Sequence, residues 1–193
     1  MGRDEQILQA ACQLFYERGF AAVGVDEIGT VAGVSGPAIY RHFPSKHDIL
    51  AALLDQTLDS LLERVGGTAS DPREQLRHLI RGHLGYVLEN PALAVVHHRE
   101  TRSLENPFRS QWRRRETRYV ARWTDCLRRC YPEADAREAS AATAALMHLL
   151  NSVPEWPGEA RKVPDLVELV SSMALSMADV LRVRGVSKVE VSR

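Results

Sequence analysis

Apolar residues recur at three- and four-residue spacing along almost the whole chain, which is the period of an α-helix with one buried face. The first such segment runs from Asp4 to Arg18 and ends at Gly19. Proline and glycine interrupt the later segments, and no segment shows the strict alternation of a β-strand. The pattern therefore predicts an all-α protein of about nine helices.

Residues 24–48 stand out because two short helical segments are joined by a tight turn at Gly33. The second segment has Ser35 at its N-cap position and Pro37 in its first turn, where a missing backbone N–H does no harm. Pro44 limits this segment to about two turns, since the residue before a proline disfavours the helical conformation. Two short helices around a glycine turn predict a helix-turn-helix, the second helix of which enters the major groove of DNA.

Charge patterning identifies the partner of this segment. The chain is neutral overall, with 25 Lys and Arg against 25 Asp and Glu, yet no acidic residue lies between Ser35 and His47. An outward basic face free of acids predicts double-stranded DNA as the partner. A plain packing corner, the alternative interpretation, does not need such a face. The residues expected at the DNA are Ser35, Gly36, Pro37, Ala38, Tyr40, Arg41, His42 and Lys46.

These side chains differ in what they can do at DNA. Arg41 has the guanidinium fork for a bidentate contact to guanine, whereas Pro37 and Ala38 can touch a thymine methyl group. Tyr40, His42 and Lys46 are suited to phosphates, which set the register of the protein on the duplex. Lys46 also lies at the start of the next helix, where free backbone N–H groups attract anions.

The same residues resemble the N-terminal domain of the TetR family of bacterial transcriptional regulators. The resemblance covers Asp4 to Leu62, about the first third of the chain. Three glycines depart from the family pattern: Gly24 stands where Ser or Thr is common, Gly29 where Ala is common, and Gly36 where Lys is common. The matching motifs are Phe15-Tyr-Glu-Arg-Gly-Phe20, Val25-Asp-Glu-Ile28, Ala32-Gly-Val-Ser35 and Ile39-Tyr-Arg-His-Phe-Pro-Ser-Lys46.

The resemblance implies a helix-turn-helix domain over residues 1–47 and a helical ligand-binding and dimerisation domain over residues 48–193. Helix 45–65 would link the two domains. It also implies a homodimer paired through helices 134–153 and 165–184, and a repressor that leaves a palindromic operator when a small-molecule effector binds. An activator of the same family and a helical protein-interaction module without DNA binding are the alternatives.

Aromatic residues in the second domain predict an effector pocket with an apolar wall and a few polar anchors. Each of these residues is individually also suited to plain core packing. The residues expected to line the pocket are Tyr86, His98, Trp112, Tyr119, Trp123, Met147 and Asn151.

Arginines dominate the stretch from His97 to Arg129, which carries ten of them against four acids. Three explanations are open: a solvated helix face, a phosphate site beside the pocket, or extra DNA contact. Some TetR-like regulators with a similar Arg-rich helix and a stretch like Leu149 to Ser152 are linked to acyl-CoA metabolism. An acyl-CoA or another apolar ligand is therefore a candidate effector.

The remaining features limit the function. Three cysteines, Cys12, Cys126 and Cys130, give no even disulfide framework and no metal-ligand spacing, so we expect reduced thiols that pack as small hydrophobes. We expect no membrane span, no metal, no cofactor and a cytoplasmic location. Catalytic signatures such as a phosphate-cradling glycine loop are missing from the sequence, so an enzyme is not expected.

Overall fold

A computed structural model describes residues 2–191, except for the side-chain surroundings at positions 36 and 183–191. Within this range it contains ten α-helices and no strand, which confirms the all-α prediction. The helices are α1 (Arg3–Arg18), α2 (Val25–Ala32), α3 (Gly36–His42), α4 (Lys46–Arg64), α5 (Pro72–Glu89), α6 (Pro91–Glu100), α7 (Phe108–Cys130), α8 (Ala136–Ser152), α9 (Gly158–Arg161) and α10 (Leu166–Val191).

Some helices differ from the sequence prediction. A four-residue helix, α9, lies between the two predicted helices 134–153 and 165–184, and α10 continues to Val191. Helix α8 begins two residues later than the predicted 134, because Asp135 caps it: its carboxylate accepts hydrogen bonds from the amides of Arg137 and Glu138. The Glu138 carboxylate in turn accepts the Asp135 amide at 3.0 Å, which completes a capping box.

The helices form two compact units, each built from two stretches of chain. The first unit comprises residues 1–60 and 90–115, and the second comprises residues 61–89 and 116–193. Helices α4 and α7 therefore each contribute to both units. This division concerns packing, whereas the predicted boundary at residue 47 concerns which residues meet DNA; that boundary stays a prediction.

One apolar core holds the first unit together. The predicted stripe of α1, which includes Ile7, Leu14 and Phe15, is buried against residues from α2, α3, α4 and α6. Ile39 of α3 is fully buried in the same core, so the position of α3 is fixed by packing on its inward side. Trp112 of α7 also lies in this core.

The second unit packs α5, α8 and α10 against one another. Small side chains such as Ala174 and Ala178 lie on the buried face of α10, where they allow neighbouring helices to approach closely. A network of Arg73, Tyr131 and Asp179 joins α5 and α10 to the end of α7: Arg73 donates to both oxygens of Asp179 at 2.7 and 2.6 Å. Arg73 lowers the pKa of Asp179. Among the described residues, no helix has the length and hydropathy needed to cross a bilayer.

The α2–α3 turn depends on two glycines. Gly33 adopts the left-handed conformation with φ of 65°, which ends α2. Gly29 allows a close approach: a Cβ atom at this position would lie 2.8 Å from the Val34 carbonyl oxygen and 3.2 Å from Cδ1 of Ile39. Glycine therefore stands at position 29, where alanine is common in the family, at a point of tight packing between α2 and the segment that leads into α3.

We expect Gly29→Ala to lower the free energy of unfolding by about 1–3 kcal/mol, because the added methyl group must displace backbone as well as a side chain. Urea denaturation followed by circular dichroism measures this. Gly24→Ala is the matched control, since a Cβ atom there meets nothing within 4 Å. Equal stability of the two variants would contradict the close approach.

Candidate nucleic-acid interface and buried polar cluster

The outward face of α3 carries most of the residues expected at DNA. Tyr40 is 52% exposed, and Arg41, His42 and Pro37 are also exposed, whereas Ala38 is half-buried. Ser35 occupies the N-cap position and is exposed, but its side chain makes no capping hydrogen bond. Gly36 begins α3, and its surroundings lie outside the described residues.

His42 is held by a residue far away in sequence. Its Nδ1 lies 2.6 Å from Oδ1 of Asp4 on α1. A carboxylate only accepts hydrogen bonds, so Nδ1 carries the proton in this pair. Asp4 therefore orients the His42 ring at the end of α3, an arrangement that the local sequence pattern did not indicate.

Lys46 has a structural role in addition to the predicted one. Its ammonium donates to the carbonyl oxygens of Phe20 and Val23, each at 2.8 Å, and lies 4.4 Å from the centre of the Phe20 ring. An ammonium group has three N–H donors, and these two contacts use two of them. Phosphate binding by Lys46 stays a prediction that relies on the third.

Glu100 of α6 binds the same turn from another side. Its Oε1 accepts the Phe20 amide at 3.1 Å, while its Oε2 accepts the Ser103 hydroxyl at 2.9 Å. The Phe20 ring also lies 5.0 Å from the His47 ring. We call the contacts of Lys46 and Glu100 with the backbone of residues 20–23 the Phe20 junction. It connects α4 and α6 to the turn between α1 and α2.

A separate polar cluster lies inside the second unit, centred on His83 of α5. Its Nδ1 lies 2.8 Å from the Tyr119 hydroxyl and its Nε2 lies 3.0 Å from Oδ1 of Asn151. The amide oxygen only accepts, so Nε2 carries the proton and Tyr119 donates to Nδ1. The Trp123 ring stands edge-on to the imidazole at 5.8 Å. We call these four residues the His83 cluster.

Burial keeps the His83 cluster neutral. Desolvation lowers the pKa of His83 to about 4, although its bond to Asn151 opposes this shift. Desolvation likewise raises the pKa of Tyr119. At neutral pH the second unit therefore contains a hydrogen-bonding group that is uncharged and surrounded by apolar side chains.

The structure brings together only some of the predicted pocket residues. Tyr119, Trp123 and Asn151 meet at His83, while Tyr86 is buried and Met147 is half-buried in the same unit. The other two belong to the first unit: Trp112 packs in its core, 5.5 Å from the His97 ring, and His98 is exposed. The role of all seven in effector binding stays a prediction.

His83 itself was missed because it lies on the apolar stripe of α5. The residues three and four positions before it, Ile80 and Leu79, are fully buried, as is Leu84 beside it. A histidine at a core position of such a stripe is the signal that indicates a buried polar cluster.

Part of the arginine face of α7 is bound within the protein. Arg115 pairs with Asp55 and Asp59 of α4, and Arg122 donates to the Gly67 carbonyl oxygen at 2.7 Å. These two arginines are therefore not part of a freely solvated helix face. Both have acceptors inside their own units.

Comparison with known proteins identifies the family. The sequence model for bacterial regulatory proteins of the tetR family matches residues 7–53, and that for the tetracyclin repressor-like C-terminal domain matches residues 69–177. The second match alone covers more than half of the chain. The chain belongs to the TetR family.

Individual members of the TetR family resemble parts or all of the chain. The HTH-type transcriptional activator FasR of Mycolicibacterium smegmatis is 38% identical over 91 residues, which are 44% of this chain and 42% of FasR. The aligned region thus spans less than half of this curated relative. Among solved structures, PfmR from Thermus thermophilus has a TM-score of 0.74 at 26% identity, covering 91% of this chain and 96% of PfmR.

A further solved structure with a similar fold is AibR in complex with isovaleryl coenzyme A and operator DNA. Its TM-score is 0.77 at 18% identity, with 93% of this chain and 97% of AibR covered. At this identity the similarity shows the fold. The helix-turn-helix of α2 and α3 lies within the part of the chain that the tetR-family model matches.

The neutral state of His83 predicts a pH dependence of stability. Its pKa is lower in the folded protein than the unfolded value of about 6.5, so the unfolded chain binds more protons between pH 6.5 and about 4. Stability contributed by the neutral ring is present above pH 6.5 and is lost as the pH falls through this window. The loss amounts to about 3 kcal/mol at the acidic end.

We expect His83→Gln to remove this component, so that its stability falls less steeply between pH 6.5 and 4 than that of the unmodified protein. Urea denaturation at several pH values measures the slopes. His78→Gln is the control, because His78 is exposed on the same helix. A slope for His83→Gln equal to that of the His78 variant would show that His83 does not titrate in this window.

Proposed function

We propose that this TetR-family regulator is a homodimeric repressor that binds a palindromic operator through α3 and leaves it when a small apolar effector binds the second unit. The observation that carries the DNA-reading part is the exposed, acid-free face of α3 with Arg41 on it. Half-sites of such dimers lie about 34–36 Å apart, one turn of DNA.

The His83 cluster is the proposed effector site. Both nitrogens of His83 are bonded within the cluster, so the uncharged amide N–H groups of Asn151 and hydroxyl oxygen of Tyr119 are the groups that could meet a ligand. They are suited to a ligand with one uncharged polar group on an apolar body, such as the thioester end of an acyl-CoA. The complex of AibR with isovaleryl coenzyme A supports this class, since AibR shares the fold. Mass spectrometry of small molecules retained by the purified protein tests it directly.

Activation is the second candidate mode, because FasR is a transcriptional activator. The two modes predict opposite changes in the expression of a reporter gene placed behind the operator. Deleting the regulator raises expression if the protein represses and lowers it if the protein activates. Repression is the mode we propose.

Dimerisation is proposed through α8 and α10, on the sides that do not face the core of the unit. Helix α10 exposes large apolar residues, among them Met173 at 47% and Val180 at 54%. Helix α8 exposes small residues on its outer side, such as Ala141, Ala144 and Ala145. Large apolar residues that are exposed on one helix face are typical of a surface that a partner covers.

The first prediction for this function concerns base recognition. An operator is first selected from random duplex DNA. We expect Arg41→Ala to relax the preference at one position of each half-site, by about 1–3 kcal/mol, because a bidentate contact to guanine is lost. Binding to a set of single-base variants measures the preference. Arg137→Ala, an exposed position at the start of α8, is the control and keeps the full preference.

Lys46→Ala combines two effects that are measured separately. Loss of its bonds to the Phe20 and Val23 carbonyls should cost about 1–3 kcal/mol of stability. Loss of a phosphate contact should weaken all DNA sequences about equally and flatten the salt dependence of binding. If both this variant and Arg41→Ala lose only stability, with DNA affinity per folded molecule intact, α3 is not the DNA-binding face.

A third prediction concerns the dimer. We expect Val180→Glu to shift the protein from dimer to monomer in sedimentation experiments at micromolar concentration, because a carboxylate would be buried unpaired in the interface. Val31→Glu is the control: Val31 is 56% exposed on α2, outside the proposed interface. A dimer that persists in the Val180 variant, or a wild-type monomer, would refute pairing through this face.

A further inference from the structure

Two cysteines lie one helical turn apart at the end of α7, outside both proposed sites. Cys126 is buried, and its Sγ donates to the Pro72 carbonyl oxygen at 3.4 Å. Cys130, the last residue of α7, is half-buried and gives access from solvent. Side chains four residues apart on a helix are neighbours, so the two thiols form a pair.

Neighbouring groups lower the pKa of one thiol of the pair. A hydrogen bond from Cys130 lowers the pKa of Cys126, and Arg129 and Arg122 add to this effect. The same hydrogen bond raises the pKa of Cys130, so Cys126 is the thiol of the pair that ionises more readily. Burial raises the pKa of the third thiol, Cys12, to about 11, and Cys12 has no second cysteine one helical turn away.

The separation of the two cysteines determines which kind of bridge can join their sulfurs. Cβ atoms one turn apart on a helix are separated by about 5–6 Å. A disulfide needs a separation of about 3.5–4.5 Å, so it would require the end of α7 to unwind. An atom that binds both sulfurs fits between them with the helix intact.

The neighbouring side chains indicate which kind of atom could form that bridge. Structural Zn²⁺ needs about four protein ligands, but the described residues contain no group of three His, Cys, Asp or Glu side chains that could hold a metal. Positive charge from Arg73 and Arg129 at the pair also disfavours a divalent cation. A trivalent arsenic centre needs only two thiols, supplies its third substituent itself, and forms a neutral product.

We propose that Cys126 and Cys130 form a dithiol site for trivalent arsenicals. In the reaction, R–As(OH)₂ condenses with the two thiols. Two As–O bonds break and two As–S bonds form, and each thiol proton leaves with a hydroxyl group as water. The oxidation state of arsenic and sulfur is unchanged. The first bond forms at the more accessible Cys130, and Cys126 closes the bridge.

Occupancy of this site would act on the network at the end of α7. Tyr131, which follows Cys130, donates to Asp179 of α10 at 2.9 Å and accepts from Arg73 at 2.9 Å. A bridge that restrains the last turn of α7 therefore acts next to a contact between α5, α7 and α10.

The probe for the test is phenylarsine oxide, applied to the full-length reduced protein. We expect one equivalent to protect two of the three thiols from a thiol-reactive dye, and mass spectrometry to show one phenylarsenic group bound with both thiol hydrogens lost. Cys130→Ser and Cys126→Ser should each weaken binding roughly 100-fold, because the second bond of a bridge forms intramolecularly. Cys12→Ser should bind like the unmodified protein.

Reversal distinguishes a bridge from a single bond. A dithiol such as dithiothreitol should release the probe, whereas an equal concentration of a monothiol should not. Cys130 is half-buried at a helix end, so its serine variant keeps the fold, which circular dichroism verifies. Unchanged affinity of the Cys130 variant, or probe found on Cys12 in the unmodified protein, would overturn the proposal.

Discussion

The arrangement of the first unit depends on the Phe20 junction. Phe20 and Val23 are buried at the two ends of this turn, and their backbone polar groups must find partners inside the protein. Lys46 supplies the donor for two carbonyl groups, and Glu100 supplies the acceptor for the Phe20 amide. Because these are charge-assisted bonds, they are stronger than neutral ones. The turn between α1 and α2, and with it the start of the helix-turn-helix, is therefore fixed by side chains from α4 and α6.

The two helices that form this junction are also connected along the chain to the second unit. Helix α4 continues from the first unit into the second, and α6 follows α5, the helix that carries His83, with only Asn90 between them. Both helices that hold the turn are thus direct continuations of the second unit. A shift of either helix would change the geometry of the hydrogen bonds at Phe20. A hydrogen bond weakens steeply when its geometry is lost.

Periodicity predicts most of the fold because burial of one helix face follows a simple spacing, and proline and glycine mark the ends. Polar contacts between distant residues follow no such spacing. Lys46 could be assigned to phosphate from its position at a helix start, but its carbonyl partners lie 23 and 26 residues away. The sequence pattern did not indicate the polar cluster at His83 for a related reason. Its partners Tyr119 and Asn151 lie on other helices, and only the fold brings them together.

Two arginines of α7, Arg115 and Arg122, limit where a phosphate of the proposed effector could bind. Arg115 already binds two carboxylates, and Arg122 binds a backbone carbonyl, so a phosphate would have to displace these acceptors. Breaking a charged hydrogen bond costs free energy that the new contact must exceed. The His83 cluster carries no charge to attract an anion. If the proposed effector is an acyl-CoA, these two features favour the acyl group as the main source of affinity and selectivity, and other apolar molecules of similar size and polarity would compete for the proposed site.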